Sequence, residues 1–206
     1  LYTRDEVKEI LEWAQNNGVL VISDEVYSGL TYENEFVSCG SFPEYQDSVV
    51  VVQSCSKHFA MTGWRVGFVF GPEEIIKILT NILSQSTTGT SSISQWAAVG
   101  ALENASEIIP WVNSEMKKRR DVLLDALKKH FGIKMTVPAG LYVFVSMKDL
   151  GVTETDSVQF CTTVLDKANV AMVPGAPFGA EGYVRMSFGE SESELKEAVN
   201  VLSEYL

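Results

Sequence analysis

The apolar positions near the start of the chain follow helical spacing. Thr3 and Glu6 have the spacing of a capping box, in which each side chain bonds the backbone of the other. Gly18 supplies a stop, since glycine readily adopts the left-handed conformation that ends helices. The pattern therefore predicts a helix that ends near Asn17, with an apolar face made of Val7, Ile10, Leu11 and Ala14.

Three continuous apolar runs follow, at residues 19–23, 48–54 and 66–71. Short unbroken runs of this kind are typical of parallel strands that are covered on both faces. Pro72 then opens a further predicted helix, because proline suits the first helical turn. Strands separated by helices or long connections indicate an α/β architecture.

The pattern changes in the second half of the chain. Residues 94–131 have helical spacing, and we expect a bend or break near Pro110. The segments 141–147 and 183–188 are predicted strands. Ser191, with Glu194 three residues later, forms a second capping box that opens a terminal helix.

This change of pattern predicts two domains joined by a long helix. We expect residues 1–115 to belong to a larger α/β domain and residues 116–206 to form a smaller α+β domain.

Composition excludes several classes of function. Sixteen Lys and Arg against 27 Asp and Glu give a net charge of −11, which argues against nucleic-acid and anionic-membrane partners. No apolar run approaches the roughly 18 residues that a membrane helix needs. Three cysteines without a CxxC motif and only two histidines predict neither a disulfide framework nor a metal site. We therefore expect no nucleic acid, no membrane and no metal.

The first candidate site is the segment SCSKHFAMTGWRVG at residues 54–67. Lys57 follows the end of a predicted buried strand, where desolvation favours the neutral, nucleophilic amine. The hydroxyls of Ser54 and Ser56 and the guanidinium of Arg65 are groups that could surround a phosphate. A solvated lysine and arginine in a polar loop is the alternative.

The second candidate site is DEVY at residues 24–27. Asp24 lies where a predicted strand ends, which is where open α/β sheets place ligand-binding groups. A carboxylate there could hold a protonated ring nitrogen, and Tyr27 could donate to a neighbouring oxygen. Taken alone, Asp24 could equally cap the next turn.

Together these segments resemble the class I/II, fold-type I aminotransferases, which depend on pyridoxal phosphate. DEVY is similar to the D-x-x-Y element of that family, and residues 54–67 are similar to its S-x-S-K-x-x-x-x-x-G-x-R-x-G element. PAGLYVFV at 138–145 and VPGAPFGAEGYVRMSF at 173–188 continue the resemblance toward the C-terminus. Residues 84–102 look most like bacterial-type aspartate aminotransferases. The fold implied is part of a mostly parallel seven-stranded sheet, followed by a smaller α+β domain.

The resemblance implies a role for each matching residue. Lys57 forms the Schiff base with the cofactor aldehyde and then carries the substrate α-proton. Asp24 pairs with the pyridinium nitrogen, so that the ring acts as an electron sink. Tyr27 donates to the ring oxygen, and Arg185 binds the substrate α-carboxylate. The phosphate is held by Ser54, Ser56 and Arg65.

The implied activity is transfer of an amino group between an amino acid and a 2-oxo acid, with aspartate and 2-oxoglutarate as the leading pair. Two alternatives stay open: a pyridoxal-phosphate lyase of the same fold, and an aminotransferase-like sensor domain of a transcription regulator. The family's stacking aromatic residue, its N-P-x-x-P-T-G turn and its ring-oxygen Asn do not occur here. We therefore expect the C-terminal half of an aminotransferase that needs its N-terminal half, is inactive alone and forms a homodimer at full length. We also expect a cytoplasmic enzyme of amino acid metabolism and biosynthesis.

Overall fold

The computed structural model describes residues 1–206, which divide into two compact units, Leu1–Asn113 and Ser114–Leu206. The division falls within a long helix. The helices are α1 Arg4–Asn16, α2 Glu73–Ser86, α3 Ser92–Glu103, α4 Ala105–Phe131, α5 Ser157–Ala168 and α6 Glu192–Tyr205. The strands are β1 Val21–Asp24, β2 Val49–Ser54, β3 Gly67–Phe70, β4 Tyr142–Ser146, β5 Val173–Pro174 and β6 Tyr183–Ser187.

Both predicted capping boxes are confirmed. Thr3 Oγ1 accepts from Glu6 N, and the Glu6 carboxylate accepts from Thr3 N at 2.7 Å, so that α1 begins at Arg4. Ser191 and Glu194 make the same reciprocal pair at the start of α6. Each box satisfies two backbone donors that a helix start leaves without partners.

The first unit contains a three-stranded sheet in the order β1-β2-β3. β1 and β2 are parallel, with Val21 opposite Val49 and Asp24 opposite Val52. The expectation that 66–71 is a parallel strand is wrong, because β3 runs antiparallel to β2 with Gly67 opposite Ser54. The physical reason is the connection: residues 55–66 are turns and a single short 3₁₀ segment, whereas a parallel return needs a crossover element.

The expectation that both faces of these strands are covered is also wrong for β1 and β3. In β1, inward and outward side chains alternate, and Ile22 is 68% exposed. In β3, Phe70 is 57% exposed. β1 and β3 each pair only with β2, so both edges of this three-stranded sheet lack a neighbouring strand within the chain.

Two apolar clusters support this sheet. The first packs α1 and the 3₁₀ segments of residues 39–48 against β1 and β2; its buried members are Val7, Leu11, Phe42, Tyr45, Val49 and Val51. The second packs the turn after β2 against α3; its buried members are Cys55, Phe59, Met61, Val66, Ala98 and Ala101. Full burial of one large apolar side chain stabilises a fold by about 1.5–3 kcal/mol, so the second cluster holds the turn after β2 in place.

The helical segment after residue 90 breaks at a different residue from the one expected. α3 ends at Glu103, Asn104 is its C-cap, and α4 continues through Pro110 to Phe131. Asn104 Nδ2 donates to Gly100 O at 2.8 Å, while Asn104 O accepts from Ile108 N at 3.0 Å in the next helix. Asn104 thus makes one hydrogen bond to the end of α3 and another to the start of α4. Pro110 has no backbone N–H, so α4 lacks one hydrogen bond at this residue but continues through it.

The second unit contains an antiparallel sheet in the order β4-β6-β5. The predicted strands at 141–147 and 183–188 are confirmed as β4 and β6, with Phe144 opposite Arg185. The short strand β5 pairs with the other edge of β6, with Val173 opposite Arg185. Arg185 therefore lies on the central strand. None of the helices combines the length and the apolar character that crossing a membrane requires.

Candidate active site

The carboxyl ends of β1 and β2 lie at the same edge of the first sheet, because the two strands are parallel. Asp24 ends β1 and Ser54 ends β2. Tyr27 and Lys57 lie in the turns that follow, and Lys57 Nζ is 5.5 Å from the centre of the Tyr27 ring. The structure thus brings together two segments that are separated by about thirty residues in the sequence.

Asp24 is exposed, and its Oδ1 accepts from Val26 N at 3.3 Å. This local bond shapes the turn so that the carboxylate remains accessible at the sheet edge. Lys57 and Tyr27 are each half-buried. The arrangement offers a carboxylate, a phenol and an amine to one bound group.

All three expected phosphate ligands, Ser54, Ser56 and Arg65, line one open depression of about 310 Å³. Ser54 Oγ donates to Ser56 Oγ at 2.8 Å and accepts from Ser56 N at 3.0 Å, which draws the two hydroxyls together. Arg65 is exposed on the same depression, and its Nη1 donates to Thr62 O at 3.0 Å. Two hydroxyls and a guanidinium are the chemistry of a phosphate-binding donor set.

The turn that carries Lys57 contains two residues in the left-handed conformation, Ala60 with φ of 54° and Arg65 with φ of 53°. Each non-glycine residue in this region costs about 1–3 kcal/mol, and such strain is concentrated at ligand-binding turns. The buried cluster beneath the turn, which includes Phe59, offsets this cost and keeps Arg65 beside the serines.

The turn after β1 is held from its other side. Asn113 Nδ2 donates to Gly29 O at 3.1 Å and to Thr31 O at 2.7 Å. A Cβ atom at Gly29 would lie 2.5 Å from His58 Cβ, so only glycine allows this close approach. The residue after Lys57 therefore packs directly on the turn that carries Tyr27.

His58 is buried, and its Nδ1 has no hydrogen-bond partner. Burial lowers the pKa of His58, and a backbone hydrogen bond with Val26 partly opposes that shift. The ring also makes an edge contact with Phe59, with centroids 4.7 Å apart. His58 is thus a neutral packing residue between the two turns.

Arg185 belongs to the second unit. Its guanidinium carbon lies 4.2 Å from the centre of the Tyr142 ring and 4.9 Å from that of Phe178. Its Nε is buried and has no hydrogen-bond partner. A planar cation fixed between two rings with an unused donor is suited to a bidentate anion such as a carboxylate.

Comparison with known proteins agrees with these motifs. The family description "Aminotransferase class I and II" matches residues 1–202. The chain belongs to this family.

Its relatives include the aspartate aminotransferase of Streptomyces avermitilis, 35% identical over 100% of this chain and 53% of the relative. Among solved structures, the aspartate aminotransferase of Thermus thermophilus with maleate has a TM-score of 0.90 and 33% identity, covering 100% of this chain and 53% of that one. The aromatic aminotransferase of Pyrococcus horikoshii has a TM-score of 0.89 and 32% identity, covering 100% and 56%. The chain therefore spans about half the length of the relatives that it matches, and its fold is that of a pyridoxal-phosphate-dependent transferase.

Members of this aminotransferase family generally use pyridoxal phosphate. The donor set of the first unit fits that group, because a depression with two hydroxyls and a guanidinium lies beside an amine, a phenol and an accessible carboxylate. No group of three or more His, Cys, Asp or Glu side chains is arranged to hold a metal ion.

The sequence pattern did not single out Glu25 or Gln53, although both lie at the strand ends that carry the candidate residues. Glu25 is 2% exposed and Gln53 Nε2 donates to it at 3.3 Å. The sequence signal that could have identified Glu25 is a second carboxylate directly after Asp24, because consecutive residues at the end of a strand point to opposite faces and one of the two would be buried.

Proposed function

We propose that the complete protein carrying this chain is a pyridoxal-phosphate-dependent aminotransferase. The observation that carries the proposal is the juxtaposition of Lys57 and Tyr27, at 5.5 Å, at the edge where Asp24 and Ser54 end neighbouring parallel strands. The family match favours a transferase over a lyase of the same fold or a regulator's sensor domain.

In this proposal Ser54, Ser56 and Arg65 hold the cofactor phosphate through hydroxyl and guanidinium donors. The Asp24 carboxylate keeps a proton on the ring nitrogen, and the Tyr27 hydroxyl donates to the ring oxygen. When bound, pyridoxal phosphate supplies a conjugated ring that takes up the electrons left at the substrate α-carbon.

Lys57 Nζ would accept the proton from the substrate α-carbon and carry it to the cofactor carbon C4′, and with the 2-oxo acid acceptor it would move a proton in the opposite direction. Its position after β2, fixed by the cluster around Phe59, keeps the amine directed toward Tyr27. Arg185 takes the substrate α-carboxylate, which fixes the α-carbon for proton transfer. We propose aspartate and 2-oxoglutarate as the substrate pair, because several relatives are named aspartate aminotransferases.

We further propose that the working protein is a cytoplasmic homodimer whose site is completed by chain outside residues 1–206. Two observations support this: the relatives are about twice as long, and the sheet of the first unit leaves Ile22 and Phe70 exposed. The three cysteines carry no disulfide, which fits a reducing compartment. We propose that residues 1–115 belong to the larger domain and residues 116–206 form the smaller one; the division between the two compact units, after Asn113, supports a boundary at this point of α4.

The test is an amino-donor screen on the full-length protein loaded with pyridoxal phosphate. With 2-oxoglutarate as acceptor, we expect glutamate to form fastest from aspartate. Release of ammonia and a 2-oxo acid in the absence of an acceptor would support the lyase instead. Cofactor binding without turnover of any donor would support a sensor.

A further inference from the structure

Glu25 is a buried carboxylate that the proposed reaction does not use. It follows Asp24 directly and is 2% exposed. Burial of a carboxylate is costly unless donors satisfy its oxygens. Four uncharged donors do so: Ser23 Oγ at 3.0 Å, Ser38 Oγ at 3.0 Å and Cys39 N at 2.9 Å to Oε1, and Gln53 Nε2 at 3.3 Å to Oε2.

These donors come from three separate segments. One is in β1, two are at the start of the 3₁₀ segment Cys39–Ser41 and its N-cap Ser38, and one is in β2. The carboxylate therefore ties the end of β1 to the neighbouring strand and to a loop more than ten residues away. Both oxygens act only as acceptors, which is the pattern of a carboxylate rather than of an amide.

Gln53 extends the connection to the far side of the turn. Its Nε2 also donates to Ser28 Oγ at 3.2 Å, and Ser28 Oγ approaches Gln53 Oε1 at 3.4 Å. The turn from Asp24 to Ser28 is thus linked to β2 on both sides of Tyr27. The link before Tyr27 is made by Glu25, and the link after it is made by Ser28. Gln53 immediately precedes Ser54, so the same link reaches the proposed phosphate site.

Asp24 is the last residue of β1, and the sheet holds its backbone, since it lies opposite Val52 and the next residue donates from Glu25 N to Val52 O at 2.9 Å. Asp24 is exposed, and its bond to Val26 N lies within the turn itself. That bond sets the shape of the turn but not its place relative to β2. After the bond from Glu25 N, the turn is joined to β2 through side chains, because Gln53 donates both to the Glu25 carboxylate and to Ser28 Oγ.

We propose that Glu25 is a positioning residue that holds the Asp24–Tyr27 turn in register with the end of β2, so that Asp24 meets the cofactor ring nitrogen. The inference deepens the proposed function and rests on it. Glu25 touches neither substrate nor cofactor; it acts through Asp24.

The test uses the full-length protein with a double-mutant cycle on Glu25→Gln and Asp24→Asn. In Glu25→Gln an amide NH₂ replaces Oε2 and faces the Gln53 amide donor, so the link to β2 is disturbed while side-chain size is kept. We expect kcat to fall by about 10- to 100-fold, the range typical of residues that orient a ligand. In the Asp24→Asn background, Glu25→Gln should lower kcat by less than about threefold, because the two residues act as a unit.

A second readout does not depend on activity. With pyridoxal phosphate labelled at the ring nitrogen, we expect the nitrogen chemical shift of Glu25→Gln to move toward that of Asp24→Asn. Glu12→Gln, on the exposed face of α1, is the matched control and should match the wild-type protein. Ser38→Ala removes one donor to Glu25 Oε1 and should shift the ring-nitrogen resonance in the same direction by a smaller amount. It replaces Glu25→Gln as the test variant if Glu25→Gln fails to fold.

Equal losses in both backgrounds, or a wild-type nitrogen shift in Glu25→Gln and Ser38→Ala, would overturn the positioning role while leaving the proposed function intact. Failure of the wild-type protein to bind pyridoxal phosphate would instead contradict the proposed function, and this inference with it.

Discussion

Lys57 Nζ lies 5.5 Å from the centre of the Tyr27 ring, across the ends of two parallel strands. Neither residue is in a strand; each lies in the turn that follows one. The sheet therefore determines the distance between them, and the buried cluster around Phe59 keeps the Lys57 turn from moving. An amine held beside a phenol in this way is prepared to react with a bound carbonyl.

Lys57 should be the residue that bonds covalently to the cofactor. Borohydride reduction of the full-length protein loaded with pyridoxal phosphate, followed by peptide mapping, should place the pyridoxyl mass on Lys57. Lys77, on α2 and paired with Glu73 at 2.7 Å, is the internal control and should remain unlabelled. A label on Lys77 or Lys117 would overturn the assignment.

Asp24→Ala should impair catalysis more than cofactor binding. Lys57 and the phosphate ligands remain, so uptake of pyridoxal phosphate should persist, whereas loss of the carboxylate removes the charge that holds the ring proton. We expect kcat to fall by about 10²–10³-fold, as for other preorganised electrostatic groups. Steady-state kinetics and absorbance titration measure the two effects. Asp47→Ala, at an exposed position, is the control, and near-wild-type turnover of Asp24→Ala would refute the role.

Arg185→Ala should lower kcat/KM by a factor that corresponds to a loss of roughly 2–5 kcal/mol in transition-state stabilisation, the usual cost of removing one partner of a buried charge pair. Arg185→Lys should also be impaired, because an ammonium cannot reproduce the planar fork between Tyr142 and Phe178. Arg4→Lys is the matched control, since Arg4 also lies over a ring, that of Phe42 at 4.4 Å. Unchanged kinetics with several amino-acid donors would exclude a carboxylate-binding role for Arg185.

His58 should make stability depend on pH. Burial lowers its pKa in the folded protein, so the unfolded chain binds a proton first as the pH falls below about 6.5. The free energy of unfolding should be unaffected by His58 above that pH and should decrease below it, down to the folded-state pKa. Urea unfolding of the full-length protein at several pH values measures this.

His58→Gln, which cannot be protonated, should flatten that pH dependence. His130→Gln is the comparison, because His130 is the other histidine of the chain and contacts Ser203 in the second unit instead. Identical pH dependence in the wild-type protein and His58→Gln would contradict the interpretation of His58 as a buried neutral group.

Residues 1–206 expressed alone should be inactive and prone to aggregate. β1 has an unpaired edge, and large apolar side chains are exposed on the first unit: Ile22 is 68%, Ile93 72% and Trp96 75% exposed. Such edges and patches drive association. Size-exclusion chromatography and an aspartate/2-oxoglutarate assay test this, with the full-length protein as reference. A soluble fragment with turnover comparable to that reference would show that the remainder is dispensable.

Local patterns in the sequence predicted every α-helical segment except α5 and every strand except β5. The capping boxes at Thr3 and Ser191 act over three residues, so the sequence specifies where α1 and α6 begin. The apolar runs located the strands to within two residues. The motifs that contain Lys57 and Asp24 identified the candidate site because their residue types and spacing are contiguous.

The tertiary structure alone decided the features that depend on distant partners. Whether β3 runs parallel or antiparallel depends on how the chain returns beside β2, and the apolar run at 66–71 is compatible with both. The exposure of Ile22 depends on what covers β1, which β1 itself does not encode. The role of Glu25 depends on Ser38 and Gln53, 13 and 28 residues away. Periodicity reports which face of an element is apolar, whereas pairing, coverage and buried hydrogen bonds are set only when remote segments meet.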